Sequence, residues 1–420
     1  MLRDDPSTHM TANAKSPLEG MLVLDLGQVY HGPYCGLLLS FMGARVLKIE
    51  PPEGDIVRRR KRDVEPYPLV MLNSNKESVV LDFKHPEGKA LFLRLVRRAD
   101  VVVENFAAGV MDRLGLGWEV LHAENPRLVF GTGKGFGLSG PYRDLPAMDL
   151  TIQAMSGIMN ATGFPDLPPV KAGPAVCDFL AAVHLFGGIM SALLHRERTG
   201  EGQLVEVSMH EAAVVALASA LGAFMDGDGG VPERTGNRHP ALAIAPYNVY
   251  PTRDGFVAIF TASERHWHSI ARVLGREDLL DNPDYASTPS RAAHMEEIDA
   301  LVEAWTRGRG KDEVMAELTL AHVPCAPVRT TAEVVHDPHL KARGHWTEVD
   351  HPRRGKTLVP NSPIRLHGSA PGRVARPAPL LGQDTDRVLA ELLGLGSEEL
   401  AALHTRGVIE PVTGSTPVSP

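Results

Sequence analysis

Cysteine is scarce in this 420-residue chain: Cys35, Cys177 and Cys325 stand far apart, odd in number and without metal-ligand spacing. That excludes a disulfide framework and fits a reducing compartment. Aromatics at 5% and charged residues at 22% give an ordinary soluble profile, and the net charge of −8 argues against nucleic-acid binding. No run of eighteen apolar residues points to a membrane span. Residues 1–19 lack the apolar core of a signal peptide and predict a disordered leader; the tail PVTGSTPVSP, 411–420, predicts a second disordered end. These absences predict a cytoplasmic globular protein.

Several catalytic signatures are missing too. There is no H-E-x-x-H, G-x-S-x-G or C-x-x-C, which argues against zinc-protease, esterase and thiol-redox chemistry. The histidines of HWH, residues 266–268, have no partner cluster and read as surface residues, so no metal is expected. The first apolar run is followed by GQVYHGPYCG, which lacks the G-x-G-x-x-G spacing; Glu50 alone does not make a nicotinamide site. GTGKGFGLSGP, residues 131–141, lacks a terminal G-K-[ST], so nucleotide hydrolysis is not expected.

What is present is a chain long enough, at 43% hydrophobic, for two domains with sizeable cores. Short apolar runs (MLVLDLG, ARVLKIE, SVVLDF, ADVVVENF and RLVFGTG) alternate with helical stretches such as PEGKALFLRLVRRA. The alternation predicts an α/β fold, a doubly wound and mostly parallel sheet covered on both faces. Farther on, NVYPTRDGFVAIF predicts a hairpin around Asp254-Gly255, part of a smaller α+β unit. The end predicts two short amphipathic helices, the second capped by Ser397.

One segment concentrates chemistry. In GPAVCDFLAA, residues 173–182, Asp178 heads an apolar stretch that reads as a buried helix with no polar face. Beside the helix amides its carboxylate is expected to stay ionised and to attack an electrophilic carbonyl without a general base. The plainer reading is a helix N-cap. Asp149 opens another apolar helical stretch and could also be a cap. The basic run RRRKR, residues 58–62, reads as a solvated charge run or a landing site for phosphates, and Lys134 is the one cation of the glycine-rich stretch.

Taken in order, VLDLGQVYHGP, GARVLKIEPPEGDIVR, NSNKESVVLDFK, ADVVVENFAAGVMDRLG, NPRLVFGTGKGFG, MDLTIQAMSG, TGFPDLPPVKAGPAVCD, RERTGEGQLVEVSM, PCAPVRTTAEVVHDPHLKARG and PLLGQDTDRVL resemble the class III CoA-transferases, the family of formyl-CoA transferase and the carnitine CoA-transferases. The match around residues 220–320 is loose. The resemblance implies that the Asp closing G-x-x-x-x-D, here Gly173 to Asp178, is the nucleophile, with CoA and acyl-CoA as substrate and no prosthetic group. It implies contacts to CoA from Tyr30 and His31, from Leu81 to Lys84, from Asn105 and Phe106, and from Arg113. Lys134 and Arg58 suit the phosphates by charge. Asp149 becomes a supporting residue; Cys177 is given no role. Tyr30 stands where formyl-CoA transferase has Gln, which argues against formate and oxalate.

The superfamily also holds 2-methylacyl-CoA racemases, which carry a proton-shuttling His where this chain has Met148; a two-base mechanism then lacks one base. A catalytically silent CoA-binding protein is the other alternative. The expected layout is a large Rossmann-like CoA-binding domain over 20–224, a small α+β domain over 225–330, and a segment over 331–410 returning to the first. The resemblance further implies an interlocked homodimer with active sites between large and small domains. Arg234, Arg238, His239 and Tyr247 are candidates for a second carboxylate, which makes a dicarboxylate such as succinate a reasonable donor.

Overall fold

A computed structural model describes residues 15–60, 64–227 and 232–410. The chain runs β1 (Leu22–Asp25), α1 (His31–Phe41), β2 (Arg45–Glu50), α2 (Tyr67–Asn73), β3 (Glu77–Val80), α3 (Pro86–Val96), β4 (Val101–Glu104), α4 (Val110–Arg113), α5 (Trp118–Glu124) and β5 (Val129–Lys134). Then come α6 (Asp149–Met155), α7 (Ile158–Ala161), α8 (Val176–Thr199), β6 (Leu204–Ser208), α9 (Met209–Val214) and α10 (Ala218–Met225). After these follow β7 (Tyr247–Thr252), β8 (Gly255–Phe260), α11 (Glu264–Val273), α12 (Thr288–Ala293), α13 (Met295–Arg307), α14 (Lys311–Leu320) and β9 (Cys325–Pro327). The last elements are α15 (Thr331–Val335), α16 (Pro338–Ala342), β10 (Trp346–His351), β11 (Gly355–Pro360), α17 (Thr385–Leu393) and α18 (Ser397–Thr405).

Two compact units divide the chain: residues 1–152, 175–213 and 338–420 form one, and 153–174 with 214–337 form the other. The expected small-domain span, 225–330, lies inside the second unit, which also takes 153–174, 214–224 and 331–337. In the first unit six parallel strands lie in the order β3-β2-β1-β4-β5-β6. Successive side chains of one strand serve opposite faces. Leu22 and Leu24 join a core built with Leu91, Phe92 and Leu95 of α3 and Val388 of α17, while Val23 joins one with Leu38 of α1 and Ile189 of α8. Both faces are covered, which is why these strands read as unbroken apolar runs. In the second unit β7-β8-β9 form an antiparallel sheet, with the expected hairpin closed at Arg253–Asp254, and Ile270, Ile298 and Val314 pack into its core.

Three expectations need correction. Of the leader, residues 1–14 lie outside the described residues, as does the tail 411–420, but Leu18 is only 3% exposed and its amide bonds to Met42 O. Helix α8 is not buried all round: Val183 and Leu194 are 50% and 56% exposed, while Leu185 and Ile189 lie buried in the core shared with Val129 of β5. This helix is long and apolar enough to cross a membrane by length and composition, although His184 and the arginines near its end break the apolar run; in the fold it is a layer on the sheet. Finally, Ser397 does not cap α18. Gly396 holds that place, and its amide bonds to Glu399 Oε2 at 2.9 Å.

Arg58 is corrected as well. It is 9% exposed, and its guanidinium bonds Glu50 Oε1 at 2.7 Å and Oε2 at 2.9 Å, Glu65 Oε1 at 3.2 Å and Pro379 O at 3.2 Å. Four of its five N–H groups are taken and its charge is matched by two buried carboxylates, so it is a buried ion-pair member and not a phosphate ligand. Arg59 and Arg60 are exposed; the rest of the run lies outside the described residues. Burial pushes the Glu50 carboxyl up, but the Arg58 guanidinium outweighs it and holds the group down at about 2. The unfolded chain then binds the extra proton first, so this contribution to stability is present above about pH 4.3 and is lost as pH falls through 2. Arg58→Ala takes from the buried Glu50 both of its guanidinium bonds and should cost about 3–5 kcal/mol in urea unfolding. A fully stable Arg58→Ala with weakened CoA binding would restore the phosphate role.

Candidate active site

Helix α8 begins without a cap of its own, since Ala175 at the N-cap position has no side chain to offer. Asp149, the first residue of α6, supplies the missing acceptor: its Oδ1 takes the amides of Cys177 at 2.8 Å and Asp178 at 3.3 Å. The N-cap reading of Asp178 therefore falls, and the capping expected of Asp149 is real but serves a different helix. Asp178, third in α8, keeps its carboxylate off the backbone amides. Its neighbour Phe179 stacks on Tyr30 at 6.1 Å between ring centroids and meets the edge of Tyr34 at 5.0 Å, which locks the first turn of α8 against α1.

The expectation that Asp178 stays fully ionised is also corrected. Burial first, and the Asp149 carboxylate second, push its pKa from 3.8 up to about 7. The amides that would have stabilised its charge are already spent on Asp149. Near neutral pH both protonation states are populated, and a carboxylate of raised pKa is the more basic nucleophile. Cys177, fully buried, is pushed up to about 12 by burial and then by the two aspartates, so its thiol stays protonated and inert.

The other candidates gather where the sheet reverses direction between β1 and β4, the position at which doubly wound sheets open a crevice at the carboxyl ends of their strands. Asn105, after β4, grips the loop after β1: its Oδ1 accepts from Gln28 N at 2.7 Å and its Nδ2 donates to Gln28 O at 3.0 Å. Its amide is thus committed to the protein. Phe106 is half-buried against the core, and its amide donates to Glu104 Oε2 at 2.8 Å. Lys134 is corrected from phosphate ligand to buried partner: its Nζ bonds both Glu104 oxygens, at 2.7 and 2.9 Å, and Phe106 O at 2.7 Å. The glycines before it are packing positions on β5; a Cβ on Gly131 would run into Ile189 and one on Gly133 into His31.

Tyr30 stands at the N-cap position of α1 without a side-chain capping bond and is half-buried, and His31 follows at 1% exposure. Burial first, then the Lys134 charge, lower the His31 pKa to about 4 against a hydrogen bond with the Ala181 backbone, so the ring is neutral at pH 7. Leu81 is wholly buried and is a core residue, whereas Lys84 and Arg113 are exposed and unspent on ion pairs among the described residues. Met148 is 57% exposed.

In the second unit the four carboxylate candidates divide. Arg238 is neutralised by Asp299 at 2.9 Å, His239 and Tyr247 pack edge to face at 5.5 Å, and Arg234 is held by neutral oxygens of Phe164 and Asn160. Sequence reasoning missed the supporting residues: Asp25, Lys48, Asp55 and Glu104. For Asp25, Lys48 and Glu104 the available signal was a charge inside an otherwise apolar strand (LVLDL, RVLKIE, VVVEN), because a charge there requires a buried partner; Asp55, in the loop after β2, carried no such signal. Among the described residues no three His, Cys, Asp or Glu side chains gather as a metal cluster.

Two half-buried aspartates, Asp149 and Asp178, thus stand together at the start of α8, beside a parallel sheet whose loops carry neither a G-x-G-x-x-G nor a G-K-[ST] pattern. The family model described as CoA-transferase family III matches residues 18–385, and the chain belongs to that family. It is a CoA-transferase. The succinyl-CoA–D-citramalate CoA-transferase of Chloroflexus aurantiacus is 38% identical over 94% of this chain and 98% of its own. A formyl-CoA:oxalate CoA-transferase of Streptomyces avermitilis is 37% identical over 93% and 99%. A crystal structure of a CAIB/BAIF family protein from Brucella suis superposes with a TM-score of 0.79 at 35% identity, covering 90% of this chain and 100% of that one.

The Asp178 environment sets a pH dependence. With the ionised carboxylate as the attacking form, kcat/KM should rise with pH through about 7, and Asp149→Asn, which removes the like charge, should move that rise to lower pH. Between about pH 4 and 7 the folded state binds the Asp178 proton and the unfolded state does not, so stability from this group falls as pH rises. Asp178→Asn should therefore melt higher than wild type at pH 8 and gain little at pH 4. A profile flat from pH 5 to 9 would contradict the assignment.

Proposed function

We propose that Asp178 is the nucleophile that carries CoA between two carboxylic acids. The observation that supports this most is the division of labour between two aspartates, Asp149 spent on the α8 amides and Asp178 left with an unshared carboxylate of raised pKa. Asp178 attacks the carbonyl of an acyl-CoA thioester; the C–S bond breaks, giving a mixed anhydride and CoA thiolate. The thiolate attacks the aspartyl carbonyl and expels the donor acid, leaving an aspartyl-CoA thioester. The acceptor carboxylate then displaces the thiolate to form a second anhydride, and the thiolate attacks the acceptor's acyl carbon, returning Asp178 as a carboxylate. Thioester energy is conserved at each step, so the cycle balances without ATP or a metal.

Succinyl-CoA is the proposed donor class. Its support is the 38% identity to a succinyl-CoA-dependent relative, together with Tyr30 in place of the Gln of formyl-CoA transferase. Met148 supports transfer over racemisation, since a thioether cannot hold the second proton. Lys84 and Arg113, exposed and basic, are the proposed partners for the phosphates and pantetheine of CoA. With wild type, succinyl-CoA and hydroxylamine, mass spectrometry should find a hydroxamate on the peptide carrying Asp178. Asp178→Ala and Asp178→Asn should still bind CoA while transfer falls about 10³-fold or more. The same enzyme with a 2-methylacyl-CoA in deuterated water should leave carbon 2 unexchanged. A hydroxamate on Asp149, an active Asp178→Asn, or exchange at carbon 2 would each overturn this reading.

Assembly as a cytoplasmic homodimer is proposed on the apolar surface of single elements: Val183 and Leu194 on α8, and Phe224 and Met225, 80% and 75% exposed, on α10. Such surface is unfavourable in water and suits a permanent interface. Mass photometry after dilution to nanomolar concentration should show dimers; an active monomer would refute the assembly.

A further inference from the structure

We infer that Gln153 is a positioning residue for the nucleophile: its buried carboxamide fixes the chain that leads into α8 and so sets where Asp178 stands. The inference rests on the proposed role of Asp178 and adds a residue to it. Residues 164–171 are all exposed, so packing gives this stretch little to hold it before the chain enters α8. At its exit the backbone is held by side chains instead. Gln153 Oε1 accepts from Ala172 N at 2.9 Å, and Gln153 Nε2 lies 3.4 Å from Pro174 O, a longer contact. Lys171 Nζ donates to Ala172 O at 3.3 Å and to Gly173 O at 3.2 Å. Farther on, Asp149 Oδ1 takes the amides of Cys177 and Asp178.

Asp149 and Gln153 stand one turn apart on the same face of α6, which therefore holds the stretch 172–178 at both ends. Residues 153–174 belong to one compact unit and 1–152 with 175–213 to the other, and each bond named lies inside a single unit. Gln153 is 1% exposed, beside Ile152 at 0%. A carboxamide in such a place is unfavourable unless its hydrogen bonds are made, and an apolar side chain would fill the space without that cost. What the carboxamide adds is its grip on the approach to Asp178. Attack on a thioester carbonyl needs the carboxylate about 3–3.5 Å from the carbon and aligned with it, and a misplacement of about 1 Å lowers the rate on the order of 10²-fold. A loosened approach slows the chemical step, while the CoA contacts proposed for Lys84 and Arg113 lie on other segments and are left alone.

Gln153→Leu fills the space without hydrogen bonds, and Gln153→Asn is one methylene too short to reach Ala172 N. Gln153→Glu keeps the length and an oxygen that accepts from that amide. In Gln153→Leu and Gln153→Asn, kcat for transfer from succinyl-CoA should fall about 10- to 100-fold with KM within about twofold of wild type, whereas Gln153→Glu should keep kcat within about threefold. Amide exchange of the peptide spanning residues 170–176 should be about tenfold faster in the first two variants and near wild type in the third. Single-turnover formation of the Asp178 hydroxamate should slow in step with kcat. If Gln153→Leu does not fold, Gln153→Asn against Gln153→Glu makes the same comparison. Wild-type kcat in Gln153→Asn overturns the positioning role, and so does a loss carried by KM or confined to the melting temperature. Equal losses in Gln153→Asn and Gln153→Glu overturn it too, because they would report disturbed packing. A wild type that forms no hydroxamate at Asp178 overturns the proposed function, a result separate from all of these.

Discussion

Asp25, the last residue of β1, and Lys76, just before β3, both have side chains 0% exposed, with 2.7 Å between carboxylate and ammonium. Neither charge could be left there alone: an uncompensated buried ion costs several kcal/mol, a large part of the total stability of a domain. Each must therefore find the other as the chain folds, and in doing so they bring the end of β1, the start of β3 and the backbone of Pro33 to one point. Lys48 with Asp55, Glu50 with Arg58, and Glu104 with Lys134 repeat the arrangement along the carboxyl ends of the strands. The crevice of the sheet is floored by ion pairs whose remaining hydrogen-bonding capacity is directed at loop backbone.

The same economy explains the two aspartates. A helix start presents amides that need an acceptor, and a carboxylate placed there is normally stabilised by them. Asp149 takes the amides of Cys177 and Asp178, which ties α6 to α8 and leaves the second carboxylate beside a like charge in a half-buried place. Two residues of identical chemistry are driven to different protonation behaviour by position alone. The supporting aspartate holds the geometry; the other keeps its basicity.

Much of this was legible in the residues. The parallel α/β class followed from unbroken apolar runs alternating with helices, because strands buried on both faces have no polar side to show. The half-buried setting of Asp178 was foreshadowed by a lone carboxylate in an apolar helical stretch. Arg58 and Lys134 were misread for one reason: a cation near a glycine-rich or basic stretch looks the same in sequence whether it faces a phosphate or a buried carboxylate. Their partners, Glu50 and Glu104, are 8 and 30 residues away, across loops whose closure the sequence does not display.

By itself the sequence determined the period of the strands, the apolar faces and the CoA-transferase family. These are local properties or ordered motifs, and each survives being read one segment at a time. Only the tertiary structure decided which helix Asp149 caps, why Asp178 holds its proton to near neutral pH, and that Asn105, Lys48 and Asp55 hold Gln28, Gly27 and Val29 in place. Burial, the distance between like charges and the partner of each hydrogen bond are set by groups far apart in the chain, so they come into being only when the sheet closes and its loops meet.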